Sequence, residues 1–298
     1  MISKGMTKTL PDIQRIAVIG AGSWGTALAK LLGDQGRRVY LWGRDRRHLE
    51  RLGRQHENRR YLPGAVLPPT VIPVHDLAEA ASLAQCVVMV VPSHGFRGVF
   101  TELLTHLRED TLLVSAVKGI ENDTLMTMTQ VIRDAMHQQK TSTALHTGVL
   151  SGPSFAAEVA KEQPTAVTVA FGDPDAAATV QQLFSTSFFR VYTGKDVIGL
   201  ELSAAVKNVV AIAAGISDGL GFGLNARAAL ITRGLAEITR LGVCLGAHPM
   251  TFSGLGGLGD LVLTCTGDLS RNRMVGLKLG QGRTLEQALA EMTMVAEG

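Results

Sequence analysis

The chain has 298 residues, 46% of them apolar, and its 29 basic and 26 acidic side chains leave a formal charge of only +3. A chain of this length and composition can bury two medium-sized cores, so two domains are expected. Scattered charge, 5% aromatic content not interleaved with basic residues, and the lack of a metal-ligand cluster argue against nucleic acid as a partner and against a bound metal.

The opening stretch MISKGMTKTLPDIQ lacks the apolar run of a signal peptide. The three cysteines, Cys86, Cys244 and Cys265, have no CxxC partner and read as reduced core thiols of a cytoplasmic protein. Strands are expected at Arg15–Ile19, Arg38–Trp42, Cys86–Val91, Thr111–Ala116, Gly148–Ser151 and Ala166–Phe171, separated by helical patterns. That rhythm predicts a doubly wound parallel sheet, whose ligands bind beyond the carboxyl ends of the strands. Those ends read GAGSWG, WGRD, VPSH, VKGIE and SGPSFA.

The first of them, Gly20 to Gly25, places GxGxxG directly after a strand and at the start of a helix. Gly20 permits the tight turn, Gly22 lets a pyrophosphate approach the backbone, and Gly25 lets the helix pack on the strand. This is a dinucleotide-binding Rossmann turn, with an unliganded glycine turn as the alternative. The second strand runs into Arg44 and Asp45, where an acid would hold the adenosine ribose and an arginine would pair with a 2′-phosphate. Asp45 sits one residue late for the ribose, so NADPH is favoured with NADH possible, although Arg44 also fits a solvated surface. The basic cluster from Arg44 to Arg60 fits either a phosphate site or a solvated helix face.

After Gly194 the rhythm changes to long helical patterns without a convincing strand, giving domains at 1–194 and 195–298. The most apolar stretch, residues 197–216, is interrupted by Glu201, Lys207 and Asn208, which argues against a membrane span. Lys207 is the one cation of a helix apolar on almost every face. Burial would bring its pKa towards neutrality and suit it to take a hydroxyl proton as hydride leaves an alcohol carbon. Snorkelling to the surface beside Asn208 is the competing reading. Asp260 follows a glycine-rich turn and can cap a helix or pair with that lysine. Ser270, Arg271, Asn272 and Arg273 form a dense donor set for a phosphate or carboxylate, or else a solvated loop.

Together GAGSWGTALA, LWGRD, VVPSH, VKGIE, SGPSFAAE, PTAV, the long AVKNVVAIAAGISDGLGFGLNARAALITRGLAE segment, GLGDLVLTCTGDLSRNR and the terminal VAEG resemble bacterial NAD(P)-dependent glycerol-3-phosphate dehydrogenases from about Ile16 to Gly298. The resemblance implies interconversion of dihydroxyacetone phosphate and sn-glycerol 3-phosphate with NAD(P)H, for glycerophospholipid synthesis. It implies Lys207 as the proton acceptor, and Lys118 as a contact to both substrate and cofactor. Gly152, Ser154, Asp260, Ser270, Arg271 and Asn272 complete the implied substrate pocket, with Arg271 also reaching the cofactor. Ser23, Trp24, Arg44, Ala156, Val295 and Glu297 fall on cofactor positions, and a homodimer is implied. Family members continue beyond VxEG with further helices, whereas this sequence stops at Gly298, so a shortened helical domain is expected.

Two other readings compete. A hydroxyacyl or hydroxy-acid dehydrogenase of the same architecture would need a catalytic histidine, and His94 is the only one at an expected strand end, where it reads as a loop residue lining the cofactor cleft. A dinucleotide-binding sensor without turnover would not require Lys118, Lys207 and Asp260.

Overall fold

The computed structural model describes residues 12–291. One eight-stranded sheet runs through the first two-thirds of the chain. Its strands are β1 (Arg15–Ile19), β2 (Arg38–Trp42), β3 (Val71–Val74), β4 (Cys86–Met89), β5 (Thr111–Ser115), β6 (Leu145–Ser151), β7 (Thr165–Phe171) and β8 (Phe189–Gly194). The spatial order is β3-β2-β1-β4-β5-β6-β7-β8. Between the strands lie α1 (Ser23–Asp34), α2 (Arg46–Gln55), α3 (Leu77–Leu83), α4 (Ser93–Leu104), α5 (Met128–Gln138), α6 (Ala156–Ala160) and α7 (Pro174–Phe184).

The central strands are apolar without interruption because both faces are covered. Along β1, Ile16 and Val18 enter the core on one side of the sheet while Ala17 and Ile19 enter the core on the other. The expectation of a parallel sheet is corrected at one place: β7 pairs antiparallel with β6, and β8 is parallel to β7. The physical reason is the connection. A parallel return needs a crossover element that packs along the sheet over roughly 23 Å for a seven-residue strand, whereas the connection over residues 152–164 carries only the five-residue α6, about 7.5 Å of helix.

From Val197 onward the described residues are helical: α8 (Val197–Gly219), α9 (Gly223–Cys244), α10 (Pro249–Phe252), a π-turn at Leu255–Gly259, α11 (Asp260–Thr266), α12 (Arg271–Gly280) and α13 (Leu285–Ala290). Asp196 starts α8 by accepting the Gly199 N–H, and its other oxygen accepts from the His248 N–H and the Thr251 hydroxyl. Among the described residues α8 is the only helix long and apolar enough to cross a membrane, and most of that stretch is buried inside the protein. Its closest neighbour is α12, and glycine makes the approach possible. A Cβ on Gly215 would lie 2.0 Å from the Arg273 carbonyl oxygen, and one on Gly276 would lie 2.0 Å from that of Ile212. Gly219 and Gly280 face each other one turn further on, so the two backbones touch along a GxxxG stripe in each helix.

The cysteine reading is corrected in one particular. Cys86 and Cys265 are buried, but Cys244 is exposed at the last position of α9, a helix whose outer face has no described neighbour to cover it.

A candidate active site at the strand ends

The glycine-rich turn has the geometry that a dinucleotide requires. Gly20 has φ +129°, and a Cβ there would meet the Val90 carbonyl oxygen at 2.5 Å. A Cβ on Gly25 would lie 1.8 Å from the Gly20 oxygen, whereas one on Gly22 would have nothing within 4 Å. Gly20 and Gly25 therefore serve the fold, and the open side of Gly22 is the cradle. Gly22 is also the N-cap of α1 and has no side chain to satisfy the first-turn N–H groups, so the helix end carrying Ser23 and Trp24 suits an anion. The residues present fit a nucleotide pyrophosphate. A residue the sequence reading passed over holds this turn in place: Asn58, fully buried, donates to the Ala21 carbonyl at 3.0 Å and lies 2.6 Å from the Thr26 hydroxyl.

At the end of β2, Arg44 is exposed and its guanidinium lies 3.6 Å from where a Cβ on Gly95 would sit, so it leans across to the start of α4. Asp45 turns the other way. It caps α2 by accepting from the His48 N–H at 3.0 Å, the main cause of its lowered pKa, and pairs with Arg60 at 3.4 Å. His94 is corrected from a loop residue to an exposed residue in the first turn of α4, because the helix starts directly after Pro92.

The second cluster joins β5 to the helical region. Lys207 is 4% exposed, which rules out snorkelling, and its Nζ lies 2.9 Å from one oxygen of Asp260. The other Asp260 oxygen takes Lys118 Nζ at 2.8 Å, so a single carboxylate bridges two ammonium groups. Burial lowers the Lys207 pKa to about 8, with Asp260 opposing and Lys118 reinforcing the shift. Asp260 is itself wholly buried; burial pushes its pKa up, but the two lysines outweigh that and hold it below the usual carboxylate value. The preceding glycines let it arrive there. A Cβ on Gly256 would lie 2.0 Å from the Leu200 side chain and one on Gly257 2.2 Å from the Phe252 oxygen, so the π-turn presses against α8. Two further partners were missed from sequence. Thr264 accepts from Lys207 Nζ at 2.6 Å while its hydroxyl donates to the Asp260 carbonyl at 2.6 Å, and Asn208 donates to the Lys118 carbonyl at 2.9 Å. Helical spacing carries the signal for Thr264, which stands four residues after Asp260 on the same face.

Comparison with known proteins agrees with this two-part arrangement. The family model described as NAD-dependent glycerol-3-phosphate dehydrogenase N-terminus matches residues 15–177, and its C-terminal counterpart matches residues 196–298. The chain belongs to the NAD-dependent glycerol-3-phosphate dehydrogenase family. It is 59% identical to a glycerol-3-phosphate dehydrogenase [NAD(P)+] of Desulfotalea psychrophila over 95% of this chain and 84% of that protein. A protein of the same name from Geobacter sulfurreducens is 56% identical over 96% and 84%. Among solved structures, glycerol-3-phosphate dehydrogenase from Coxiella burnetii superposes with a TM-score of 0.92 at 40% identity, covering 97% of this chain and 86% of that one.

The remaining positions implied by resemblance to glycerol-3-phosphate dehydrogenases fall as follows. Gly152 has φ +150°, and its carbonyl accepts both Lys118 Nζ and the Ser154 hydroxyl at 2.9 Å, which brings Gly152 and Ser154 to the lysine pair. Ala156 opens α6 and packs against the core under the sheet. Ser270 is buried and caps α12 by accepting from the Arg273 N–H at 3.2 Å, Asn272 is buried in the first turn of α12, and Arg271 there is exposed. Arg273 leaves the donor set, since it is committed to Asp218 at 2.8 Å and Asp268 at 3.0 Å. Val295 and Glu297 lie outside the described residues. Among the described residues no group of histidine, cysteine and acidic side chains could hold a metal.

Proposed function

We propose that the protein interconverts dihydroxyacetone phosphate and sn-glycerol 3-phosphate. The observation that carries this reading is the buried Lys207, joined through Asp260 to Lys118 at a strand end of the domain that bears the dinucleotide turn. A nicotinamide cofactor held at the Gly22 turn and the start of α1 would supply the hydride chemistry at the substrate C2. Lys207, neutral above about pH 8, takes the proton of the C2 hydroxyl in oxidation and returns it in reduction. Asp260 and Thr264 occupy two directions around Lys207 Nζ and leave the third for the substrate oxygen. Lys118 holds the substrate oxygen side, and its carbonyl is steadied by Asn208. The start of α12, with Arg271, Asn272 and a helix N-terminus capped by Ser270, suits the phosphate dianion.

Several finer statements belong to the same proposal. NADPH is preferred to NADH, supported by Arg44 at the end of β2 and by the commitment of Asp45 to a helix cap. The division of labour falls at Gly194, where β8 ends and the helices begin. Gly22, Ser23, Trp24, Arg44 and Ala156 line the cofactor side, Gly20 and Gly25 shape the turn that presents them, and Lys118 and Arg271 reach the cofactor from the substrate side. The enzyme works as a cytoplasmic homodimer whose product feeds phospholipid synthesis.

The deciding assay follows NADPH and NADH absorbance with dihydroxyacetone phosphate. Turnover is expected with NADPH, and replacing Lys207 with Ala is expected to lower kcat by roughly 10²- to 10⁴-fold. Undiminished turnover in that variant would refute the role given to Lys207.

A further inference from the structure

The loop between Lys118 and α5 must be held still for the two lysines to meet, and α8 grips it at both ends. At the entry, Asn208 donates to the Lys118 carbonyl at 2.9 Å. At the exit, Glu201 accepts from the Thr129 backbone N–H at 2.8 Å and from the Thr129 hydroxyl at 2.5 Å. Glu201 and Asn208 are seven residues apart, two helical turns, so both side chains project from one face of α8, roughly 10 Å apart along its axis. Thr129 stands in the first turn of α5, where a backbone N–H has no acceptor within its own helix and a carboxylate meets the positive helix end.

Glu201 is 4% exposed, and neither proton transfer nor substrate binding as derived above uses it. A buried acid is retained at a cost, so its two bonds need a reason. Burial raises its pKa, while both Thr129 bonds and the charge of Arg133 oppose the rise. These groups all belong to α5, the element that the loop delivers. From the other side the loop is tied by Arg97, which binds Glu121 at 2.8 and 2.7 Å through two guanidinium nitrogens and also pairs with Asp134.

We propose that Glu201 is a positioning residue for the reaction: by clasping the start of α5 to α8 it sets the separation of Lys118 from Lys207. The proposal rests on the assignment of both lysines to one substrate. Misplacing a reacting group by about 1 Å can cost on the order of 100-fold in rate, and a slack loop would displace Lys118 on that scale.

The test uses the full chain with three variants, Glu201→Ala, Glu201→Gln and Thr129→Val. kcat and KM for dihydroxyacetone phosphate are measured beside NADPH affinity from nicotinamide fluorescence. Glu201→Ala is expected to lower kcat by roughly 10- to 100-fold while the NADPH dissociation constant stays within about twofold. Glu201→Gln restores kcat to within about threefold, because the amide oxygen still accepts the Thr129 N–H and the amide nitrogen can donate to the hydroxyl. Thr129→Val, which keeps the N–H and deletes the hydroxyl, lowers kcat by about three- to tenfold. Glu201→Ala with unchanged kcat and intact NADPH binding overturns the proposal. If Glu201→Ala loses NADPH binding as well, Thr129→Val decides: a threefold or larger loss with NADPH affinity intact supports the clasp, and a smaller one overturns it. Undiminished turnover in Lys207→Ala would overturn the site assignment and the clasp with it, whereas undiminished turnover in Glu201→Ala alone overturns only the clasp.

Discussion

At the scale of single residues the decisive group is Lys207, and its environment gives a signed expectation for pH. Desolvation holds its pKa at about 8, below the 10.5 of a free lysine. In the proposed role oxidation of the alcohol uses the neutral amine, so kcat in that direction should climb through about pH 8 to a plateau, while kcat for ketone reduction should fall over the same range. Stopped-flow rates of hydride transfer in both directions check this. Replacing Asp260 by Asn removes the charge that favours protonated Lys207, so the midpoint should move below 8. The same change leaves two ammonium groups without their shared partner and should cost about 3 kcal/mol or more in denaturant unfolding. Since the folded-state pKa of Asp260 is lowered, its stabilisation is present above the ordinary carboxylate range and is lost as pH falls through the folded value. Much of this was legible beforehand: a lone cation in an apolar helix and an acid after a glycine run identify themselves. Asn58 was not, because an asparagine in a loop shows nothing unusual until the fold supplies a partner, and Thr264 showed only its i+4 spacing from Asp260, which gains meaning once Lys207 is beside them.

At the scale of elements the glycine-rich turn, proposed to hold the cofactor phosphates, separates two kinds of glycine that the motif spells alike. Gly22→Ala should keep its melting temperature within about 2 °C, since the new Cβ meets nothing within 4 Å, yet bind NADPH at least about tenfold more weakly. Gly25→Ala should lose both, because its Cβ would lie 1.8 Å from a backbone oxygen and α1 must move off the strand; overpacking of that kind costs about 1–3 kcal/mol. Thermal shift and fluorescence titration on the two variants distinguish them. The same scale shows what the sequence could not display. Strands β3 and β8 escaped prediction, and they are the two edges of the sheet. Edge strands lack the unbroken apolar run that marks β1 and β4: β3 carries Pro73, and β8 alternates buried with exposed residues at Phe189–Gly194. The reversal at β7 was hidden for a different reason, since strand direction leaves no trace in hydrophobic pattern and only the shortness of α6 betrays it.

At the scale of the whole molecule charge is unevenly placed. Seven arginines and three acids lie between Arg44 and Arg60, so that segment carries more net positive charge than the full chain, with its +3. All of it surrounds the end of β2 and α2, on the side proposed to hold the cofactor. The association rate of NADPH should therefore fall more steeply with ionic strength than that of NADH, which stopped-flow mixing at low and physiological salt would measure. Equal slopes would remove the support this surface gives to NADPH preference. The glycine stripe between α8 and α12 has a consequence of another kind. Each of its four positions is filled from the opposite helix by main chain, which cannot be trimmed to admit a larger side chain. Change there cannot accumulate one residue at a time. Lineages that depart from glycine at Gly215 or Gly276 must re-space both helices together, so these positions should vary in concert, if they vary at all.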